Sequence, residues 1–205
     1  EGKNQLNLHF SKWKNFEYFL EQCKKESVSK LYLTGQTADG LQYHYLNELI
    51  DYLQSNGFIV GVRTNGYLAE AKIDAVRKMK GEIGYSIHTL IPEKNQIIMG
   101  KNYLPNWSKI IPESGENVRV SIVLNRYNID EFDDLIEFAS SFPNVKYIQV
   151  RRISTDTRMD LLQKDIDMFE EFYEKFAQTH QQDGNYYLAQ RYFLNGKEIN
   201  FWRTV

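Results

Sequence analysis

The chain has 205 residues, enough for one well-packed domain and marginal for two. Its 25 basic and 27 acidic side chains give a formal charge of −2 without long blocks of one sign, which argues against a nucleic acid or an anionic membrane as partner. Hydrophobic residues make up 42% of the chain, too many for a disordered protein, and no apolar run approaches the roughly 20 residues of a bilayer span, so we expect a cytoplasmic globular domain.

Short β-branched or aromatic runs alternate with longer amphipathic stretches along the whole chain. The short runs predict strands at residues 6–10, 30–34, 58–63, 82–88, 117–125 and 145–151. The amphipathic stretches predict helices at residues 14–26, 41–56, 69–80, 107–111, 129–141 and 161–180. Repeated strand–helix–strand units build a mainly parallel sheet with right-handed crossovers. A β-hairpin is predicted last, because Asn195-Gly196 suits a tight type I′ turn.

The predicted strands alternate in polarity, which is unusual for parallel strands that are covered on both faces. One face carries the polar side chains of Asn7, His9, Arg63, Asn65, Ser86, His88, Arg119, Ser121, Asn125, Gln149 and Arg151. A flat sheet with that face in water is one explanation, and a nearly closed barrel with a polar lumen is the other. We predict an α/β fold: a partial (β/α)6 TIM-like barrel over residues 1–160, with a C-terminal helix and β-hairpin at 161–205 packed on it.

The C-terminal ends of barrel strands are where chemistry is expected. Residues 34–40, Thr-Gly-Gln-Thr-Ala-Asp-Gly, follow the second predicted strand, and their glycines let backbone amides approach an anionic or zwitterionic ligand. A phosphate-binding P-loop is rejected, because Leu41-Gln42 stands where Lys and Ser or Thr should follow. After the third predicted strand, Gly66 allows a sharp turn and Asn65 directs a carboxamide towards the lumen.

Together these segments resemble the radical S-adenosylmethionine (radical SAM) superfamily, and the resemblance covers residues 6–154. Thr34-Gly35-Gln36-Thr37 stands at the place of the family's Gly-Gly-Glu-Pro loop, with only the first glycine matching. Thr64-Asn65-Gly66 matches the family's Thr-Asn-Gly ending, and Ser86 corresponds to a serine near the end of the fourth strand. Residues 92–100 resemble a glycine-ended loop of the family.

The resemblance implies a site for S-adenosylmethionine, a 4Fe-4S cluster, and a substrate lumen. The implied cofactor-binding residues are Gly35, Gln36, Thr37, Asn65, Ser86, Asn125 and Arg151. The implied lumen residues are His9, Arg63 and His88. The implied partners are an electron donor such as a flavodoxin or ferredoxin and a small-molecule or peptide substrate. In the implied reaction the cluster cleaves S-adenosylmethionine reductively, and a 5′-deoxyadenosyl radical abstracts hydrogen from the substrate.

The family's defining motif is absent: three cysteines, separated by three and then two residues, in the loop after the first strand. The single cysteine, Cys23, falls in an amphipathic stretch, where a thiol is typically a small core residue. We expect the cluster loop directly after Phe10. Two explanations stay open: a sequence from which that loop has been omitted, which we favour, or a degenerate domain that has lost the cluster.

Two other functions stay open on the sequence. A metal-assisted hydrolase would use His9 and His88, with Asp39 as third ligand. A cluster-free degenerate barrel would instead be a small-molecule-binding or partner-binding module.

Overall fold

The computed structural model describes residues 6–35, 38–154 and 160–203. Within these ranges eight strands form one sheet, in the spatial order β1-β2-β3-β4-β5-β8-β7-β6. The strands are β1 (Lys30–Leu33), β2 (Ile59–Thr64), β3 (Ile83–Ser86), β4 (Val118–Leu124), β5 (Val145–Arg152), β6 (Asn185–Tyr186), β7 (Ala189–Leu194) and β8 (Lys197–Trp202). The α-helices are α1 (Phe16–Lys25), α2 (Leu46–Ser55), α3 (Ile73–Lys78), α4 (Pro92–Met99), α5 (Trp107–Glu113), α6 (Phe132–Ser140) and α7 (Asp160–Thr179).

The sheet is mainly parallel, which confirms the predicted α/β partial barrel. Strands β1 to β5 run parallel to their neighbours, and β8 pairs with β5 in the same direction. The hairpin turn has positive φ at Asn195 (50°) and Gly196 (73°), as a type I′ turn requires. The sixth parallel strand therefore comes from the C-terminal hairpin. The domain boundary near residue 160 stays a prediction.

The predicted strand at residues 6–10 is wrong. Residues 6–8 form turns and a bend, and Phe10 begins a 3₁₀ helix, Phe10–Lys12. The carbonyl oxygen of Leu8 accepts hydrogen bonds from the Trp13 indole (3.2 Å) and the Tyr43 hydroxyl (2.9 Å). Side chains thus satisfy backbone groups that a strand would have paired. The chain runs continuously from this segment into α1, so the cluster loop expected after Phe10 is not there.

Helix α4 is missing from the sequence-based prediction, which gave residues 92–100 as a loop. Its apolar residues do not form one buried stripe: Ile97 is 60% exposed, and the buried residue of the helix is Asn95. Pro92 begins the helix and Gly100, with φ of 71°, ends it. The residues at its two ends mark this helix in the sequence, and hydrophobic periodicity alone does not detect it.

Helix α2 shows how the apolar side of the sheet is covered. Leu46, Leu49, Ile50 and Leu53 recur at helical spacing, and each is at most 2% exposed. Burial of each such side chain stabilises the fold by about 1.5–3 kcal/mol. None of the helices in the described ranges has the length and apolar composition of a membrane span.

The opposite face of the sheet carries a network of charges. The Glu82 carboxylate lies 2.7 Å from Nη1 of Arg63 and 3.4 Å from Nε of Arg119. The Tyr147 hydroxyl donates a hydrogen bond to the same carboxylate at 2.9 Å. Gly84 separates the two arginines, and a Cβ there would lie within 2.7–2.9 Å of their side-chain atoms. The predicted polar alternation therefore reflects an ion network across β2 to β5.

Gly61 of β2 provides a test of how closely the strands approach. A Cβ at Gly61 would lie 2.4 Å from the carbonyl oxygen of Glu82, a backbone atom that cannot move without displacing the chain. We expect Gly61→Ala to lower the free energy of unfolding by about 1–3 kcal/mol in urea denaturation. Gly40→Ala is the control, because its Cβ would meet no atom closer than 3.4 Å. Equal losses in the two variants would contradict the strand packing described.

Candidate functional site

The carboxyl ends of β1, β2 and β3 enclose a cavity of about 440 Å³, called here the polar cavity. It is lined by Thr34, Gly35, Ala38, Asp39, Gln42, Arg63, Thr64, Asn65 and Ser86. The structure thus brings together three of the expected cofactor-binding residues, Gly35, Asn65 and Ser86. Gln36 and Thr37 lie outside the described residues. Arg63, expected in the lumen, also reaches this cavity.

Asp39 joins the two loops that form the wall of the polar cavity. One carboxylate oxygen accepts a hydrogen bond from the Leu41 N–H at 2.9 Å. The other accepts from the Thr64 hydroxyl (2.8 Å) and from the Asn65 N–H (2.9 Å). The two donors from the end of β2, Thr64 and Asn65, hold the segment after β1 against that strand. Asp39 therefore positions the cavity wall.

Asn65 and Ser86 present polar groups to the cavity. The Asn65 carboxamide oxygen accepts from the Tyr67 N–H at 3.2 Å, which orients the side chain across the turn at Gly66. The amide nitrogen of Asn65 and the hydroxyl of Ser86 make no hydrogen bond with any residue in the described ranges. Both side chains are half-buried. One amide and one hydroxyl group are thus available to a ligand.

The Arg63 side chain interacts mainly with other residues of the protein. Its guanidinium group lies 4.0 Å from the centre of the Tyr32 ring and forms the ion pair with Glu82 described above. This arrangement fixes the guanidinium group at the edge of the cavity. Arg63 supplies a positive edge there, with its charge partly neutralised by Glu82.

A second cavity of about 380 Å³, called here the apolar cavity, lies beyond the ends of β3 and β4. It is lined by His88, Ile97, Ile98, Met99, Val123, Asn125, Arg126, Tyr127, Ile153, Leu162 and Asp165. Aliphatic side chains form most of its walls. Arg126 and Asp165 are paired with each other at 2.9 Å. Asn125 and His88, expected in the cofactor site and the lumen, both line this cavity.

His88 is a neutral hydrogen-bonding residue in this setting. Its Nδ1 accepts a hydrogen bond from the Val123 N–H at 3.1 Å, so the ring proton lies on Nε2. Burial, together with the positive charge of nearby Arg151, lowers the pKa of His88 to about 4. Arg151 is exposed and lies opposite Val123 in the β4–β5 register. His88 is therefore uncharged near neutral pH and offers an N–H donor.

Asn128 is a site residue that the sequence analysis missed. It is fully buried, and its amide nitrogen donates to the carbonyl oxygens of His88 (2.6 Å) and Val123 (3.0 Å). Its amide oxygen accepts from the Asn125 N–H at 2.8 Å. Asn128 thus ties the ends of β3 and β4 together below the apolar cavity. The one sequence signal for this contact was the spacing of Asn125 and Asn128, two asparagines three residues apart after a strand.

The two cavities share the end of β3 as a wall. Ser86 lines the polar cavity and His88, two residues later, lines the apolar cavity. Two residues of extended chain span about 7 Å, which is within the length of a nucleoside-sized ligand. A ligand with one polar and one apolar end could therefore contact both residues.

His9 does not lie in the lumen. Its Nε2 is 3.2 Å from a carboxylate oxygen of Glu48 in α2, and its ring packs on Tyr45. Within residues 6–35, 38–154 and 160–203, no group of three or more His, Cys, Asp or Glu side chains is placed to hold a metal ion. The metal-assisted hydrolase with His9, His88 and Asp39 as ligands is therefore wrong.

The residues present do not fit a 4Fe-4S cluster, which proteins hold mainly with cysteine thiolates. Cys23 is the only cysteine of the sequence. Its side chain is buried in α1 and belongs to the hydrophobic core.

No protein-family model and no curated protein sequence matches this chain. Several solved structures are similar to it. Streptococcus suis SuiB bound to S-adenosylmethionine is 16% identical, with a TM-score of 0.63 over 93% of this chain and 41% of SuiB. SuiB bound to the precursor peptide SuiA is 17% identical, with a TM-score of 0.64 over 93% of this chain and 42% of SuiB. TYW1 with a lysine-pyruvate adduct gives 15% identity and 0.53 over 88% of this chain and 63% of TYW1.

SuiB and TYW1 are radical SAM enzymes. At these identities the similarity establishes the fold alone: the chain has an α/β partial barrel similar to those of these enzymes. It spans about two fifths of the length of SuiB and less than two thirds of the length of TYW1.

The neutral state of His88 predicts a pH dependence of stability. Its pKa in the folded protein, about 4, lies below the ordinary value of 6.5, so the unfolded chain binds the proton more readily. The stabilisation from a neutral His88 is present above pH 6.5 and is lost as the pH falls towards 4. His88→Asn keeps an acceptor at the position of Nδ1 for the Val123 N–H and removes this titration. In urea denaturation, we expect the stability advantage of the wild type over His88→Asn to shrink between pH 7.5 and 4.5. Parallel pH profiles would contradict the assignment.

Proposed function

We propose that this chain binds S-adenosylmethionine, or a ligand of the same chemistry, with an amino-acid end in the polar cavity and a nucleoside end in the apolar cavity. The observation that carries the proposal is the pairing of the two cavities on either side of the end of β3. One offers donors without a partner among the described residues, and the other offers aliphatic walls. Such sites bind ligands through apolar surface and a few placed polar groups.

The amino-acid end would be held by the polar cavity. The Asn65 amide and the Ser86 hydroxyl are suited to donate hydrogen bonds to a carboxylate. Gly35 keeps the loop tight beside them, since a Cβ there would lie 1.3 Å from the Ala38 carbonyl oxygen. Any side chain at Gly35 would displace that loop.

The nucleoside end would lie in the apolar cavity. Ile98, Met99 and Ile153 provide surface for a base, while Asn125 and the Nε2–H of His88 provide polar contacts near the strand ends. Arg151, whose charge acts on His88, is proposed to contact the same end of the ligand. The SuiB structure that holds S-adenosylmethionine supports this choice of ligand.

The proposal covers the binding of S-adenosylmethionine and does not extend to its cleavage. The reductive cleavage implied by the resemblance needs a cluster, and the donor set of this chain does not fit one. The SuiB structure with a precursor peptide supports a peptide as a further partner, without identifying its sequence.

Isothermal titration calorimetry with S-adenosylmethionine tests the polar cavity. We expect Asn65→Ala and Ser86→Ala each to weaken binding from a few-fold to about tenfold, the effect of one lost hydrogen bond. Asn47→Ala and Ser141→Ala are matched controls, because both side chains are exposed and outside the two cavities.

Methionine and adenosine, titrated separately, assign the two ends of the ligand. We expect Asn65→Ala to weaken the binding of methionine and to leave that of adenosine unchanged. Failure of the wild type to bind S-adenosylmethionine, or equal affinities across all four variants, would overturn the proposed function.

A further inference from the structure

The N-terminal segment reproduces the spacing of the missing cysteines with other residues. Leu6, Phe10 and Trp13 are separated by three and then two residues, as the family's three cysteines are. The segment also lies directly before α1. The motif therefore aligns with residues 6–13, so the expectation of a cluster loop after Phe10 was placed too far along the chain.

Two of the three substituting side chains, Phe10 and Trp13, pack into the protein. Phe10 is 6% exposed, and its ring centre lies 5.1 Å from that of Tyr52 and 6.0 Å from that of Phe16. The Trp13 ring lies 5.2 Å from both Phe16 and Tyr43. These rings are called here the aromatic plug, which consists of Phe10, Trp13, Phe16, Tyr43 and Tyr52. Aromatic pairs at such distances are favourable contacts beyond their burial.

Hydrogen bonds complete the attachment of the segment. The Leu8 carbonyl receives the Trp13 indole N–H and the Tyr43 hydroxyl, and the Leu6 carbonyl accepts from the His44 N–H at 3.1 Å. The polar tips of two plug residues are thus used inside the protein. Leucine and phenylalanine carry no metal-binding atom, and the indole nitrogen of tryptophan is only a hydrogen-bond donor.

We infer that the aromatic plug performs the crosslinking that three thiolates perform around a cluster, and that this chain is a metal-independent radical SAM fold. The segment at residues 6–13 is fastened to α1 and α2 by ring packing and side-chain hydrogen bonds. The inference concerns metal and stability, so it stands or falls separately from the ligand proposed above.

Anaerobic reconstitution with iron and sulfide tests the alignment. The wild-type protein should retain almost no iron and show no visible absorption shoulder. The triple variant Leu6→Cys, Phe10→Cys, Trp13→Cys should gain iron, approaching about four per chain. The matched control is Asn7→Cys, Ser11→Cys, Lys14→Cys, which has the same spacing shifted by one residue onto exposed positions and should take up far less.

Stoichiometric iron in the wild-type protein, or equal uptake by the two triple variants, would overturn the inference. Thermal unfolding decides the case if the first triple variant does not fold. A chelator should leave the wild-type Tm unchanged, while Phe10→Ala should lower Tm by roughly 6–20 °C. Tyr18→Ala, at a 62% exposed position of α1, is the control. A chelator-sensitive wild type, or a Phe10→Ala variant as stable as Tyr18→Ala, would also overturn it.

Discussion

The Glu82 carboxylate is held by Arg63, Arg119 and Tyr147, which belong to three different strands. A parallel sheet can bury a polar face only when the charges on that face are paired, because an unpaired charge in a dry interior costs several kcal/mol. Glycines at 61 and 84 leave the room that this pairing needs. The network keeps β2 to β5 in register, so that their carboxyl ends form one edge. Both cavities depend on that edge.

Two polar joints convert the edge into a site. Asp39 fastens the loop after β1 to the end of β2, and Asn128 fastens the end of β3 to that of β4. Both joints direct their polar atoms to groups of the protein, while Asn65, Ser86 and the Nε2–H of His88 face the cavities. The joining residues shape the site, and their neighbours are left to contact a ligand. Burial lowers the pKa of His88 and keeps its ring neutral, so the ring can line the wall of the apolar cavity.

Features that depend on short stretches of sequence were predicted correctly. The parallel strands followed from short β-branched runs, the final turn followed from Asn195-Gly196, and the placing of Asn65 and Ser86 at strand ends brought them to one cavity. The error at residues 6–10 has a physical reason: the alternation of Leu6, Leu8 and Phe10 is the same whether the apolar side chains face a sheet or pack on helices. The roles of Asp39 and Asn128 as joints were missed, because the groups that they fasten, Thr64, Asn65 and the carbonyl of His88, lie 25 to 40 residues away in the chain. Only the folded chain shows that these distant groups meet.

We propose that this partial barrel binds S-adenosylmethionine without metal. The most direct measurement is equilibrium dialysis of S-adenosylmethionine against chelator-treated wild-type protein, followed by a strong reductant and analysis of the recovered ligand. We predict saturable binding to the metal-free protein and recovery of intact S-adenosylmethionine. Binding that appears only after iron and sulfide are supplied, with release of 5′-deoxyadenosine on reduction, would contradict it.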